Sequence, residues 1–295
     1  DLHSFPTRRS SDLEPGLMVE QVLKPRLGRI REVTYTVPDI AAIEAAYTRW
    51  LRYRVIDRGE ITTTQALTWD APALRARPYI TLAPASGESV AIRFIAEPLA
   101  RWRSLTSHGW NVSEIVVQDV DALAAELRNS PFRIIGEPAG LTRFPMIRAM
   151  QVMGPADECL YFTEVGDGSG LSLAQAESFV GRIFIVVAGG PDLPGLFQTY
   201  APFANEIDPP VATPVRVISA ANGLPPETLH GHGLVKLGHG SLIELDHYPS
   251  VTQPRFTPPN SLPSGMAMVS FETLGAAPES LVRGAAGELV EFVET

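Results

Sequence analysis

The chain has 295 residues, of which 45% are hydrophobic and 19% are charged, as in ordinary globular proteins. Its net charge of -9 argues against a nucleic-acid-binding surface, because phosphate contacts need clustered Lys and Arg. The sequence has no run of about 18 apolar residues that could span a bilayer, and its single cysteine, Cys159, fits a reducing compartment. We therefore expect a cytoplasmic protein with no nucleic-acid or membrane partner.

Residues 1–17, which precede the first methionine, differ in character from the rest of the chain. They show no apolar periodicity and lack the apolar core of a secretory signal. They look like translated library-adaptor sequence of the kind found at the ends of assembled environmental DNA reads, which suggests a bacterial metagenome. We expect this segment to be a non-native leader and place the start of the fold at residue 18.

A strand, a helix and a hairpin then recur in the same order. The stretch "REVTYTVPDIAAIEAAYTRWL" predicts a strand followed by a helix that Asp39 caps, and "YITLAPASGESVAIRFIAEP" predicts a hairpin. The second copy begins at "NVSEIVVQDVDALAAELRNS", with Asp119 as the cap. In the third copy Asp192 precedes Tyr200 by eight residues, the interval that also separates Asp39 from Tyr47.

The third copy ends in a histidine-rich hairpin, "HGHGLVKLGHGSLIELDHYP". Strand side chains alternate between faces, so a turn centred on His239 would place His232 opposite Asp246 and Leu234 opposite Glu244. A one-residue slip would break this grouping. A fourth copy consists of "GMAMVSFETL" and "GAAGELVEFVE" and is too short for the helix and the middle strands.

A strand, a helix and three strands, repeated four times, resemble the vicinal oxygen chelate (VOC) superfamily. Its members include glyoxalase I, extradiol dioxygenases, epimerases and bleomycin-resistance proteins. The short phrases "VPDIAAIEAAY" and "LIELDHYP" support the resemblance, which covers about residues 28–295. An unrelated α+β protein with several hairpins is the alternative.

The resemblance implies an α+β fold in which βαβββ modules pair into cup-shaped mixed sheets with helices on the outer face. We expect an N-terminal module pair in residues 18–170 and a C-terminal pair in residues 171–295, with a shortened last module. That module is either decayed or has suffered a deletion. The sequence leaves open whether the modules pair within the chain or across a homodimer.

In the superfamily, metal ligands lie near the start of the first strand and on the last strand of each module. The N-terminal pair has Glu32, Arg93, Val112 and Tyr161 there, and Arg93 would repel a cation, so we expect this pair to be metal-free. The candidate ligands in the C-terminal pair, for one divalent ion (Fe, Mn, Ni or Zn), are Glu244, Glu291 and His232. The histidines alone do not establish a metal, so a chain without a cofactor is the alternative.

Arg93 can instead bind a carboxylate, phenolate or enolate oxygen, with Glu32 as a general base. The catalytic candidates are Glu32, Arg93 and Tyr161, and the substrate-binding candidates are Tyr79, Trp110 and Arg148. The structural alternative is an internal Glu32–Arg93 ion pair that only joins two strands.

The resemblance implies a glyoxalase-like or dioxygenase-like protein that acts on a small oxygenated or aromatic molecule. Its reaction would be that of a lyase, an isomerase or a ring-cleaving dioxygenase. The alternative is a non-catalytic binder that sequesters a drug or another small molecule, as bleomycin-resistance proteins do. Fold resemblance does not decide between an enzyme and a binder.

Overall fold

The computed structural model describes residues 26–141, 144–166, 173–275 and 280–294, so the expected leader at 1–17 lies outside the described residues. The first module comprises β1 (Arg26–Val37), α1 (Ile40–Trp50), β2 (Arg54–Glu60), α2 (Thr63–Thr68), β3 (Pro78–Ala83) and β4 (Ala91–Ala96). The second comprises β5 (Gly109–Val117), α3 (Val120–Leu127), β6 (Arg133–Gly140), β7 (Ile147–Met153) and β8 (Cys159–Val165). The third comprises β9 (Val180–Gly190), α4 (Leu193–Tyr200), β10 (Glu206–Pro214), α5 (Arg216–Ala221), β11 (Leu229–Lys236) and β12 (Leu242–His247). The fourth comprises β13 (Gly265–Leu274), β14 (Leu281–Arg283) and β15 (Leu289–Glu294).

The expected α+β fold with repeated modules is confirmed. Three helices begin at the expected aspartates, because each carboxylate accepts hydrogen bonds from backbone N–H groups in the first helical turn. Asp39 accepts from Ala41 N at 2.9 Å, and Asp119 accepts from Ala122 N at 2.8 Å. Asp192 caps α4 in the same way. Among the described residues, no helix has both the length and the apolar character that a membrane crossing requires.

Two mixed sheets contain all the described strands. The seven-stranded sheet has the order β14-β15-β13-β1-β4-β3-β2, and the eight-stranded sheet has the order β10-β11-β12-β9-β5-β8-β7-β6. The first module therefore pairs with the fourth through β1 and β13, and the second pairs with the third through β5 and β9. This differs from the expected grouping of neighbouring modules within 18–170 and within 171–295.

The apolar faces of the three hairpins join one core between the two sheets, as their alternation predicts. Helices α1, α3 and α4 contribute to the same core. The hairpin residues in it are Ile80, Leu82, Ile92, Phe94, Leu160, Phe162, Val235, Leu237, Ile243 and Leu245. The opposite face of each sheet forms its cup. We call these faces the seven-strand cup, which holds Glu32 and Arg93, and the eight-strand cup, which holds Glu244 and Asp246.

Two tyrosine–glutamate hydrogen bonds connect the two sheets. Tyr47 of α1 donates to Glu158 Oε1 in the β7–β8 turn at 3.1 Å, and Tyr200 of α4 donates to Glu288 Oε1 in the β14–β15 turn at 2.9 Å. Each bond joins a helix of one sheet's module to a hairpin of the other sheet. This shared role accounts for the equal spacing from Asp39 to Tyr47 and from Asp192 to Tyr200.

Trp110, a substrate-binding candidate, also joins the two sheets and lies in the core between them rather than on a cup face. Its side chain is 1% exposed, and its Nε1 donates to Leu289 O at 2.7 Å. The indole packs against Tyr200 and Phe271, with ring centroids 5.9 and 6.2 Å away. A tryptophan at the start of a first strand is therefore part of the core in this chain.

We expect Trp110→Phe to lower the free energy of unfolding by about 1–3 kcal/mol, because it removes a buried hydrogen bond and leaves part of the indole volume empty. Urea unfolding would measure the change. Trp50→Phe, at a partly buried position on α1, is the control and should cost less. Equal stability of Trp110→Phe and the wild type would contradict this role.

Candidate functional site

The eight-strand cup brings together an acidic cluster, which we define as Glu114, His232, Glu244 and Asp246. The β11–β12 hairpin has the expected register, with His232 paired to Asp246 and Leu234 paired to Glu244. Alternation then places His232, Glu244 and Asp246 on the cup face. His239 lies at the turn, exposed and with a φ of 58°, also as expected.

Three members of the cluster have the arrangement of metal ligands. One ligand atom each from His232, Glu244 and Asp246 lies within 4.8 Å of the other two. Asp246 is 2% exposed, and neither its Oδ1 nor His232 Nδ1 has a hydrogen-bond partner, although both atoms are buried. Leaving such buried atoms unpaired costs free energy, so a bound cation or a proton shared between them would stabilise the cluster.

Glu114 is the fourth member, and the sequence analysis missed it. It lies on β5 opposite Tyr161 of β8, is 8% exposed, and accepts a hydrogen bond from Thr163 Oγ1 at 2.5 Å. Burial, with a smaller contribution from the charge of Glu244, raises the pKa of Glu114 to about 8. The available signal was a single acid inside the otherwise uncharged strand "GWNVSEIVV", since isolated carboxylates are rarely buried without a partner.

The charges of the cluster are not balanced by any described basic side chain. Burial and the neighbouring Asp246 raise the pKa of Glu244 well above its ordinary value, and burial also raises the pKa of Asp246. The two carboxyls are close enough to affect each other's pKa, and like charges at this distance favour a proton on one of them. Burial lowers the pKa of His232, which keeps its imidazole neutral and able to bind a metal.

The eight-strand cup is covered by apolar and aromatic side chains. Ile218 of α5, Leu105 and Tyr248 belong to one buried cluster above the acids, with Tyr161 packed against it. Asn222 at the end of α5 donates to Leu105 O at 2.9 Å and holds this cover together. The Tyr248 hydroxyl is buried without a hydrogen-bond partner. Glu114 and Asp246 are therefore buried, whereas His232 and Glu244 remain partly exposed.

Tyr161 is separated from the other two catalytic candidates. Glu32 and Arg93 lie in the seven-strand cup, where Glu32 Oε1 is 3.0 Å from Arg93 Nη1. Tyr161 lies in the eight-strand cup, where burial raises its hydroxyl pKa, with further contributions from Cys159 and Asp246. The expected trio does not form because β1 and β4 belong to one sheet and β8 to the other.

The expected metal-ligand trio is also divided between the sheets. His232 and Glu244 are together, but Glu291 lies on β15 in the seven-strand cup. Its carboxylate accepts hydrogen bonds from Trp69 Nε1 at 2.8 Å and from Ser270 Oγ at 2.5 Å. Asp246 takes the place that the sequence analysis gave to Glu291.

The two remaining substrate-binding candidates lie apart from each other. Tyr79 is in the seven-strand cup, with its ring centroid 5.4 Å from the Arg93 guanidinium carbon and its hydroxyl donating to Asp57 at 2.8 Å. Arg148 is exposed and pairs with Asp121 of α3 at 2.8 Å. The structure therefore places Arg148 beside α3 and not with Tyr79 or with the acidic cluster.

No family model and no curated protein matches this chain. Among solved structures, glyoxalase I from Zea mays is similar, with a TM-score of 0.58 and 12% identity over 90% of this chain and 92% of that one. A putative dioxygenase from Bacillus subtilis is similar with a TM-score of 0.57 and 11% identity, over 91% of this chain and 86% of that one. The expected VOC resemblance is thus confirmed at the level of the fold.

Proposed function

We propose that the chain is a divalent-metal-dependent enzyme of the glyoxalase or dioxygenase type, acting on a small oxygenated or aromatic molecule from the eight-strand cup. The observation that carries the proposal is the convergence of His232, Glu244 and Asp246 within 4.8 Å, with two buried ligand atoms unpaired. The similar glyoxalase I and dioxygenase structures support the choice of reaction type. The partner would be a small molecule in the cytoplasm.

The donor set of the cluster suits a divalent metal. One neutral imidazole with two or three carboxylates matches the preferences of Fe, Mn, Ni and Zn. His232, Glu244 and Asp246 would hold the ion. Glu114 is close enough to Glu244 for the charge of Glu244 to raise its pKa. When bound, such an ion supplies Lewis acidity for vicinal oxygens of a substrate. The seven-strand cup has Arg93 among its acids instead, which makes it a poor cation site.

The side chains around the cluster can donate and accept protons. Glu114 has a pKa of about 8 and one oxygen fixed by Thr163, so it can give or accept a proton near neutral pH. The hydroxyls of Tyr161 and Tyr248 stay protonated because burial raises their pKa values, and they can donate to a substrate oxygen. The buried apolar cluster that includes Ile218 of α5 and Leu105 would narrow the cup and favour a small substrate.

The first test is metal content by plasma mass spectrometry, on protein purified without a metal-affinity tag. We expect about one equivalent of Fe, Mn, Ni or Zn in the wild type, and a loss of at least tenfold in Glu244→Gln and in Asp246→Asn. The matched control is Glu291→Gln, because Glu291 lies on the last strand of the fourth module as Glu244 lies on the last strand of the third.

Glyoxalase and ring-cleavage assays on the loaded protein would follow. Absence of metal in the wild type, even after incubation with each of the four ions, would contradict the proposal. The bleomycin-resistance type of binder would then be the remaining candidate. Equal metal loss in Glu291→Gln would also contradict it, because that result would remove the assignment to the eight-strand cup.

A further inference from the structure

Three unpaired polar atoms lie side by side in the seven-strand cup. Arg93 of β4 is in register with Thr34 of β1 on one side and with Thr81 of β3 on the other. Thr34 is 0% exposed and Thr81 is 4% exposed. The Oγ1 atoms of both threonines and the Nε of Arg93 are buried and have no hydrogen-bond partner. Three neighbouring strands thus present one row of unused donors.

The neighbouring side chains hold the Arg93 guanidinium in place without satisfying Nε. Glu32 Oε1 lies 3.0 Å from Nη1 on one side. The rings of Trp69 and Tyr79 lie 5.7 and 5.4 Å from the guanidinium carbon. Thr34 is near enough to Glu32 to lower its pKa slightly, but no atom is in hydrogen-bond geometry with the Thr34 hydroxyl. An external acceptor is therefore missing from a site that is already ordered.

We propose that the seven-strand cup binds a small monocarboxylate, such as acetate or pyruvate, through Arg93 Nε and the hydroxyls of Thr34 and Thr81. A carboxylate has two oxygens and about four lone-pair directions, which is enough to accept from three neighbouring donors. Glu32 and Arg93 remain 15% and 17% exposed, so solvent reaches the charged pair. The site shares no residue with the acidic cluster and does not depend on a metal.

The negative charges of the cup require that the protein takes up a proton when a carboxylate binds. Arg93 is the cation that acts on Glu32, and the other charges near Glu32 are the carboxylates of Glu291 and Asp57, with the Tyr79 hydroxyl bonded to Asp57. A further carboxylate would be repelled unless one acid were neutral. Glu32 is that acid, because burial raises its pKa to about 7 while Arg93 opposes the rise. Protonation of Glu32 frees Arg93 for the ligand.

Isothermal calorimetry with acetate and pyruvate tests the site, with acetamide as the neutral analogue. We expect both carboxylates to bind about tenfold more tightly at pH 6.0 than at pH 8.0, since the proton on Glu32 is lost as the pH rises through about 7. At pH 8.0 binding should take up close to one proton, which titrations in buffers of different ionisation enthalpy would measure. Acetamide should bind at least tenfold more weakly.

Variants separate binding from structure. Arg93→Met should abolish carboxylate binding, and the Thr34→Val/Thr81→Val double variant should weaken it at least tenfold while its volume stays almost the same. Glu32→Gln should still bind but lose the pH dependence. Arg148→Met is the control, because its guanidinium lies outside the cup. Absence of binding in the wild type, unchanged binding in the double threonine variant, or equal binding of acetamide would each overturn the proposal.

Discussion

We expect Arg255→Met to lower the free energy of unfolding by about 3 kcal/mol. The guanidinium donates to Ser107 Oγ at 2.6 Å, to Trp110 O at 2.6 Å, to Ser264 O at 3.2 Å and to Met266 O at 3.1 Å. Trp110 is in β5 and Met266 is in β13, so this one side chain connects the first strand of the second module, in one sheet, to the first strand of the fourth module, in the other. Methionine fills much of the same volume but removes all four of these hydrogen bonds.

The expected loss is smaller than four charged hydrogen bonds would suggest. Burial lowers the pKa of Arg255 to about 10, which shows that the cation is itself poorly solvated. No carboxylate among the described residues forms an ion pair with it. Urea unfolding of Arg255→Met beside Arg148→Met would measure the effect, and Arg148→Met should lie within about 0.5 kcal/mol of the wild type. Equal losses in the two variants would rule out a special role for Arg255.

Glu158→Gln should remove part of the pH dependence of stability. Burial raises the pKa of Glu158 to about 7, well above the 4.5 of an unfolded chain. Between these two values the folded state holds a proton that the unfolded state releases, so the wild type loses stability as the pH rises from about 4.5 to about 7. A shift of this size corresponds to about 3 kcal/mol, all of it lost above pH 7.

Glutamine can replace the protonated acid in the native hydrogen bonds. Its oxygen can accept from Ala156 N, which now donates to Glu158 Oε2 at 2.7 Å, and its amide can donate to the Tyr47 oxygen. Urea unfolding at pH 5.0 and 8.0 should therefore show a smaller loss of stability in Glu158→Gln than in the wild type. Other buried acids contribute equally to the pH dependence of the variant and of the wild type, so their contributions cancel when the two are compared.

The control for this experiment is Glu137→Gln. Glu137 is exposed, and its hydrogen bond to Arg128 lowers its pKa, so its own titration lies below pH 4.5 and outside the measured range. Glu137→Gln should keep the wild-type difference between pH 5.0 and 8.0. An unchanged difference in Glu158→Gln as well would mean that Glu158 does not titrate as a buried acid.

Local features of the fold could be predicted because they depend on neighbours in sequence. The caps at Asp39, Asp119 and Asp192 follow from helix-end chemistry. The pairing of His232 with Asp246 follows from alternation and a turn at His239, since a slip would bury polar groups against the core.

The pairing of modules depends on contacts between distant segments, and so the sequence analysis did not find it. β5 is buried along its whole length and β13 along nearly all of its length. When a strand is apolar on both faces, its sequence does not indicate which other strands pair with it on either side. Because the sheets join the first module to the fourth and the second to the third, Tyr161 and Glu291 lie in different sheets from the residues with which the sequence grouped them. Glu114 could not be grouped with Glu244 for a related reason, because β5 and β12 meet only through β9 in the folded sheet.

The arrangement of the modules has a consequence for the order of folding. The strands of the eight-stranded sheet lie between residues 109 and 247, whereas the seven-stranded sheet needs segments from both sides of that region. During synthesis the inner sheet can assemble as soon as β12 has left the ribosome, but β1 must wait for β13 to arrive. In the meantime the first module exposes an unpaired strand edge. A chaperone that shields such an edge should bind nascent chains in which the first module has emerged, and release them once β13 has paired with β1.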